Sequence, residues 1–223
     1  MAPPPFLRAV AYGPYQERMK LAIHTLKYGG VRSLARGLGR MLAEAIAQLA
    51  PDAPAQMLVV PIPLHRSKHA ERGFNQARSL AVHALASLAK SHPQWRLKLA
   101  STTLMRLRAT ETQAGLSPHM RRLNVRGAFQ VSAPASVADR HILLIDDIFT
   151  TGATARAAAQ ALLEAGAASV RVATLARAQR NDQDGPRGAF LSNGQHIHDE
   201  DGLAPPHHLQ AAFKLSSHDQ SSF

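Results

Sequence analysis

The run Ile142-Leu143-Leu144-Ile145-Asp146-Asp147-Ile148-Phe149-Thr150-Thr151-Gly152-Ala153-Thr154 constrains this chain more than any other stretch. Its first four residues are unbroken apolar sequence, the pattern of a strand buried on both faces of a parallel sheet. Two carboxylates follow at the strand's carboxyl end, where open α/β sheets hold their ligands. Small hydroxyl residues then surround a glycine, and an alanine-rich helical pattern runs from Ala155 to Leu163. Such a turn presents backbone N–H groups and hydroxyls at a helix N-terminus, a ready anion site. Acids beside an anion site repel the ligand unless it also carries hydroxyls, a divalent cation, or both. A phosphorylated sugar with Mg²⁺ meets that requirement. For Asp146 and Asp147 alone, the plainer reading is a buried strand whose acids cap the next helix. The whole run favours the phosphosugar.

The rest of the chain alternates strand and helix patterns. Arg8–Tyr12 reads as a short strand, with Pro14 suited to a first helical turn. Met19, Ala22, Ile23 and Leu26 form one helical face ending at Gly29-Gly30, and Leu34, Leu38, Leu42, Ile46 and Leu49 form another, closed by Pro51. Met57–Val60 is a buried strand, and Ala77, Leu80, Ala81, Ala84, Leu85 and Leu88 mark a further helix. Strand-like runs recur at Leu97–Met105, Ala128–Val131, Ile142–Ile145 and Ser169–Leu175. This alternation predicts an α/β fold with a doubly wound, mostly parallel sheet over residues 1–178. Residues 179–223 are rich in Gln, Asp, Asn, Gly, Ser and His and carry little periodicity, so a polar, disordered tail is expected there.

A second segment starts at another strand end: Val59-Val60-Pro61-Ile62-Pro63-Leu64-His65-Arg66-Ser67-Lys68, then Arg72-Gly73-Phe74-Asn75-Gln76. The prolines stiffen the strand exit and hold the preceding residues extended. A basic loop is expected to follow, able to meet an anion through backbone N–H groups and Arg66 or Lys68. A solvated turn, with Arg72 and Asn75 organising the next helix start, is equally compatible with these residues. In a third segment, Arg106, Arg108, Arg121, Arg122 and Arg126 place five guanidiniums between two strands, interspersed with Gln113 and Asn124. Guanidinium forks suit phosphate oxygens. That segment fits a lid, a fixed surface for nucleic-acid phosphate, or a solvated loop.

The first segment resembles the signature of the type I phosphoribosyltransferases, which bind 5-phosphoribosyl 1-diphosphate (PRPP). Phe149 is bulkier than the aliphatic residue usual there. The resemblance implies that Asp146 and Asp147 address the ribose hydroxyls and the water shell of Mg²⁺, and that Thr150, Thr151, Gly152, Ala153 and Thr154 hold the 5-phosphate. It places Pro63, Leu64, Arg66 and Lys68 on the pyrophosphate loop. Arg106 and Arg108 then join the catalytic set, with Gln113, Arg121, Arg122 and Asn124 on a flexible loop that closes over pyrophosphate. Pro-Ile-Pro-Leu-His, followed by Arg-Gly-Phe-Asn-Gln and by Arg106 to Phe129, is similar to the ComF family, phosphoribosyltransferase-like proteins linked to DNA uptake in competence. Thr112 and Met120 depart from that family's usual residues. Such proteins commonly carry an N-terminal cysteine zinc ribbon, and this chain has no cysteine. Either the module is missing through truncation or this branch dispenses with it.

The resemblance implies transfer of a phosphoribosyl group to a nitrogen nucleophile with release of pyrophosphate. The alternatives are a non-catalytic competence accessory that handles single-stranded DNA or a competence helicase partner, and a PRPP-sensing regulator. A homodimer would be ordinary for the fold.

Net charge is +11. Residues 179–223 hold three basic and six acidic side chains, leaving the first 178 residues at +14. That excess attracts polyanions such as PRPP, pyrophosphate or a nucleic-acid backbone, without choosing among them. No apolar run reaches membrane-spanning length, and the start of the chain lacks the pattern of a secretory signal, so a cytoplasmic protein without membrane insertion is expected. The absence of cysteine excludes disulfides and thiolate chemistry. His196, His198, His207 and His208 lack regular ligand spacing, and there is no dinucleotide fingerprint, Walker loop or nucleophile elbow.

Overall fold

In the computed structural model, residues 3–29, 33–108 and 127–178 are described. Strands β1 (Arg8–Pro14), β2 (Gln56–Pro61), β3 (Arg96–Leu99), β6 (His141–Phe149) and β7 (Ser169–Arg177) form one sheet in the order β1-β7-β6-β2-β3. Every neighbouring pair in that sheet is parallel. Strands β4 (Leu104–Arg106) and β5 (Phe129–Val131) pair antiparallel beside it. The helices are α1 (Glu17–Tyr28), α2 (Leu34–Ala47), α3 (Arg66–Arg72), α4 (Gln76–Ser91) and α5 (Ala153–Glu164). The doubly wound, mostly parallel fold is therefore as expected.

Alternation along the central strands builds two cores. Val59, Leu143 and Ile145 face α1, α2 and α4, packing with Ile23, Leu42 and Leu80. Val60, Ile142 and Leu144 face α5 and the β4–β5 pair, packing with Ala158, Leu162 and Phe129. Full burial on both sides explains why Ile142–Ile145 reads as continuous apolar sequence rather than alternating. After β6 the chain crosses through α5 to β7 on one side. After β2 it crosses through α4 to β3 on the other side and the opposite face. The order of winding reverses between β6 and β2, which makes the carboxyl ends of these two strands the switch point of the sheet.

Several local expectations are corrected. Pro14 closes β1, in register with Arg177, because the chain stays extended through Gln16, which caps α1. The expected basic loop contains helix α3: His65 accepts from the Ser67 amide at its start, and Gly73, at φ +70°, ends it. The run Leu97–Met105 divides into β3 and β4, which join different sheets. Strand β6 continues through both aspartates to Phe149, so the acids lie within its last turn of pairing. Residues 179–223, expected as a tail, and Gln113, Arg121, Arg122 and Asn124 lie outside the described residues.

Candidate active site at the carboxyl edge of the sheet

Register carries two chain segments to one place. Pro61 pairs with Ile145, and the Ile62 amide donates to the Ile145 carbonyl at 2.8 Å. The exit of β2 through Pro63 and Leu64 therefore emerges beside the Asp146-Asp147 end of β6. Asn75 holds that exit: its Nδ2 donates to the Ile62 carbonyl at 3.0 Å while its Oδ1 accepts from the Arg78 amide at 3.2 Å, capping α4. Arg72 donates to Tyr28 Oη at 2.8 Å, with its guanidinium 4.7 Å from the ring centroid, and reaches Gln76. Arg72 and Asn75 thus do organise the helix start. Arg66 is exposed and Lys68 half-buried, both near the start of α3, and neither is in an ion pair among the described residues.

Asp146 lines a shallow hollow together with Ile148, Phe149, Thr150, Gly152, Ala153, Thr154, Ala155 and Thr174. The hollow thus joins one of the two acids to most of the hydroxyl-rich turn. Gly152 sits at φ +74° and caps α5, with Thr151 Oγ1 accepting from the Ala153 amide at 3.4 Å. Its missing side chain has a packing reason as well. A Cβ there would lie 2.5 Å from Cζ of Phe149, whose ring is buried edge-on against Phe6. The bulky Phe149 and the glycine are matched to each other.

The two acids do different work. Asp147 is buried and closes an ion pair with Lys27 on α1. Asp146 accepts from the Asp147 amide at 2.9 Å. Burial, then the neighbouring charge and hydrogen bond of Asp147, push the Asp146 carboxyl well above the ordinary carboxylate range, with Lys27 offsetting only part of this. For Lys27, burial acts to lower the pKa, but Asp147 and Asp146 together outweigh it and raise it. Arg106, at the end of β4, stacks over Phe129 at 5.4 Å. Burial lowers its pKa and the charge of Asp146 opposes that shift, so Arg106 lies within electrostatic reach of the site. Arg108 is exposed.

Two residues of this neighbourhood are not singled out by the motifs: Lys27 and Thr174. Lys27 follows the buried pair Ile23 and Leu26 on α1, and a cation at the edge of a core stripe calls for an acidic partner. Thr174 is a buried polar residue of β7, opposite Asp146 in register. The carboxylates are hard oxygen donors of the kind Mg²⁺ takes. Among the described residues no group of three or more acids or histidines could cage an ion.

Comparison with known proteins agrees with this architecture. The phosphoribosyl transferase domain family matches residues 77–199. The chain is 36% identical to DNA utilization protein YhgH of Escherichia coli (strain K12) over 177 residues, covering 78% of this chain and 74% of that protein. It is 28% identical to competence protein F of Haemophilus influenzae over 178 residues (78% and 75% of the two chains), and 33% identical to competence protein ComFC of Bacillus subtilis over 164 residues (73% and 61%). A solved structure of hypoxanthine-guanine phosphoribosyltransferase from Schistosoma mansoni overlays with a TM-score of 0.40 at 14% identity, over 71% of this chain and 63% of its own. The family assignment rests on the sequence matches. With its parallel sheet, its switch point and its acid-to-threonine turn, the chain belongs to the phosphoribosyl transferase domain family and, within it, to the ComF proteins.

Proposed function

We propose that the protein binds PRPP together with Mg²⁺ at the switch point between β6 and β2 and transfers the phosphoribosyl group to a nitrogen nucleophile, releasing pyrophosphate. One observation carries this reading: Asp146 lines the same hollow as Thr150, Gly152, Ala153, Thr154 and Ala155. A ligand with hydroxyls at one end and a phosphate at the other matches both. Backbone N–H groups at the start of α5, with Thr150 and Thr154, take the 5-phosphate. Asp146, steadied by Asp147 and Lys27, takes the ribose hydroxyls. Arg66, Lys68 and Arg106 stand where charge on the diphosphate needs compensation.

In the transfer, the acceptor nitrogen bonds to C1 of the ribose as the C1–O bond breaks, and the bonding pair leaves with pyrophosphate. Positive charge develops on the ring, beside the carboxylates, and the acceptor's proton passes to solvent. Bound Mg²⁺ supplies charge that neutralises the departing diphosphate. The chain's own contribution is positioning and electrostatics, and no protein nucleophile is required.

Titration calorimetry of PRPP with Mg²⁺ against the parent protein and Asp146→Asn tests the binding step. Asp146 is the right target because, among the described residues, the ion pair at this edge is made by Asp147 and not by Asp146. Equal affinity in the two proteins would sink the proposal. The names of the relatives favour a second reading, a non-catalytic accessory in DNA handling. Pyrophosphate release measured across a panel of bases and amines tests turnover: release with any acceptor supports the enzyme, PRPP binding without release supports a PRPP-sensing regulator, and neither binding nor release leaves the accessory.

A further inference from the structure

Helix α3 carries Arg66 and Lys68 in its first turn, yet none of its residues is buried. It is seven residues long, about 10 Å, and a helix that short is marginal in water without tertiary support. No hydrophobic stripe supplies that support, so the helix is fixed from its ends. At the start, His65 accepts from the Ser67 amide. At the far end, Arg72 donates to Tyr28 Oη at 2.8 Å, with its guanidinium carbon 4.7 Å from the ring centroid. Among the described residues, this is the one side-chain hydrogen bond from α3 that reaches beyond residues 65–76. Tyr28 is exposed, but its ring is already engaged: Arg72 lies over it, and His24, one turn earlier on α1, is 4.8 Å away. It is not a free shelf on which a base could stack. Lys27, the preceding residue, pairs with Asp147 on β6. Consecutive residues in the last turn of α1 thus reach the acid end of β6 and the end of α3.

We infer that Tyr28 is a positioning residue: by clasping Arg72 it fixes α3, and so places Arg66 and Lys68 for pyrophosphate. The inference rests on the PRPP reading and names what holds the diphosphate half of that site. The clasp suits its partner chemically, because the phenol oxygen accepts from the guanidinium while the ring face attracts the same cation. Arg72 is committed to this work, with Nη1 donating to Gln76 at 3.4 Å and Nη2 to Tyr28. It therefore acts through α3 rather than on the ligand. Gly73, at φ +70°, lets the chain turn into α4 but adds no stiffness of its own. Without the clasp, α3 is free to pivot about that turn, and a helix that pivots at one end moves most at the other, where Arg66 and Lys68 stand. Because Lys27 ties the same turn of α1 to Asp147, the ribose and diphosphate halves of the site share one support.

Hydrogen exchange of the full chain without ligand, read by mass spectrometry, tests this together with calorimetry. The calorimetric probes are pyrophosphate with Mg²⁺ and ribose 5-phosphate. In Tyr28→Leu, the amides of residues 66–72 should exchange about tenfold faster, the ratio expected for loss of one hydrogen bond and one cation–π contact. Those of β6 and α4 should keep the parent's rates. Pyrophosphate should bind about tenfold more weakly, and ribose 5-phosphate within about twofold of the parent. Tyr28→Phe keeps the ring and should lose less than Tyr28→Leu. Arg72→Met and Tyr28→Leu/Arg72→Met should both match Tyr28→Leu, because each removes the same contact. Ile46→Val, a buried change on α2 of comparable stability cost, should alter neither exchange in α3 nor either affinity. Parent-like exchange in α3, equal weakening of the two probes, or a much larger loss in Arg72→Met than in Tyr28→Leu overturns the inference. The last result would mean that Arg72 touches the ligand itself. If the parent binds neither probe, the PRPP reading falls and the pyrophosphate role with it, whereas faster exchange still establishes that the clasp holds α3.

Discussion

Lys27 of α1 and Asp147 of β6 close an ion pair across the edge of the sheet, with their side chains only 18% and 6% exposed. The pair joins the first helix to the strand that carries the site, and it neutralises one of two adjacent carboxyl groups. Asp147 thereby becomes the anchor, and Asp146 is left to line the hollow.

Removing the cation alone should be costly. Lys27→Met leaves a carboxylate in a place where water cannot reach it freely, a loss of about 3 kcal/mol. For a domain of this size that corresponds to a fall in Tm of about 6–12 °C. Lys27→Met/Asp147→Leu removes both charges and should recover most of the loss. The sign of the pH effect follows from the raised pKa of Lys27. The pair's contribution is complete below the ordinary lysine value of 10.5 and is lost as pH rises through the folded-state value. Thermal melts from pH 7 to pH 11 check this. If Lys27→Met melts with the parent at neutral pH, the pair has no structural weight.

Asp146 should show the opposite behaviour. Its carboxyl is raised in the folded state, so ionising it costs the folded protein more than the unfolded chain. That cost grows as pH rises from the ordinary value of 3.8 through the folded-state value, and it is absent below 3.8. Asp146→Asn should therefore raise Tm at neutral pH, with the gain shrinking towards acid pH. The same substitution should abolish PRPP binding. A variant that is both less stable at pH 7 and unchanged near pH 4 contradicts the assignment of burial as the dominant effect.

Gly152 and Phe149 should behave as a coupled pair. Gly152→Ala meets two penalties: the ring of Phe149, and a φ of +74° that a Cβ disfavours. Together they should cost about 2–4 kcal/mol. Phe149→Leu withdraws the Cζ and Cε atoms that the new methyl would strike. Gly152→Ala should therefore cost less by about 1 kcal/mol in the Phe149→Leu background. Denaturant melts of the four proteins measure the coupling, and strict additivity would mean that backbone strain alone explains the glycine.

Patterns of hydrophobicity and turn chemistry carry much of this architecture. The continuous apolar run at Ile142–Ile145 and the helical stripes of α2 and α4 are local signals of burial, and they read through directly. The Asp146-to-Thr154 turn is contiguous, so its shared hollow is legible from spacing. What escaped is non-local or set by capping. Lys27 and Asp147 are far apart in sequence, and nothing near either one announces the other. Helix α3 is short and has no buried residue, so it has no hydrophobic stripe to read. It is defined by His65 and Gly73 at its ends. The division of Leu97–Met105 depends on which partner each half finds, β2 for one and β5 for the other.

Asn75 offers a test of how the β2 exit supports the site without touching the hollow. Its amide does two jobs, donating to the Ile62 carbonyl and accepting from the Arg78 amide at the start of α4. Asn75→Ala loses the cap and leaves the Ile62 carbonyl short of a donor, a cost of about 1–2 kcal/mol. Asn75→Asp keeps the acceptor for Arg78 but not the donor to Ile62. If the exit must be held for Pro63, Leu64, Arg66 and Lys68 to meet pyrophosphate, both variants should weaken pyrophosphate binding, while only Asn75→Ala loses the full cap energy. Calorimetry with pyrophosphate and Mg²⁺ beside denaturant melts separates these effects. Asn75→Asp with parent-like pyrophosphate affinity would show that the bond to Ile62 has no part in positioning the loop.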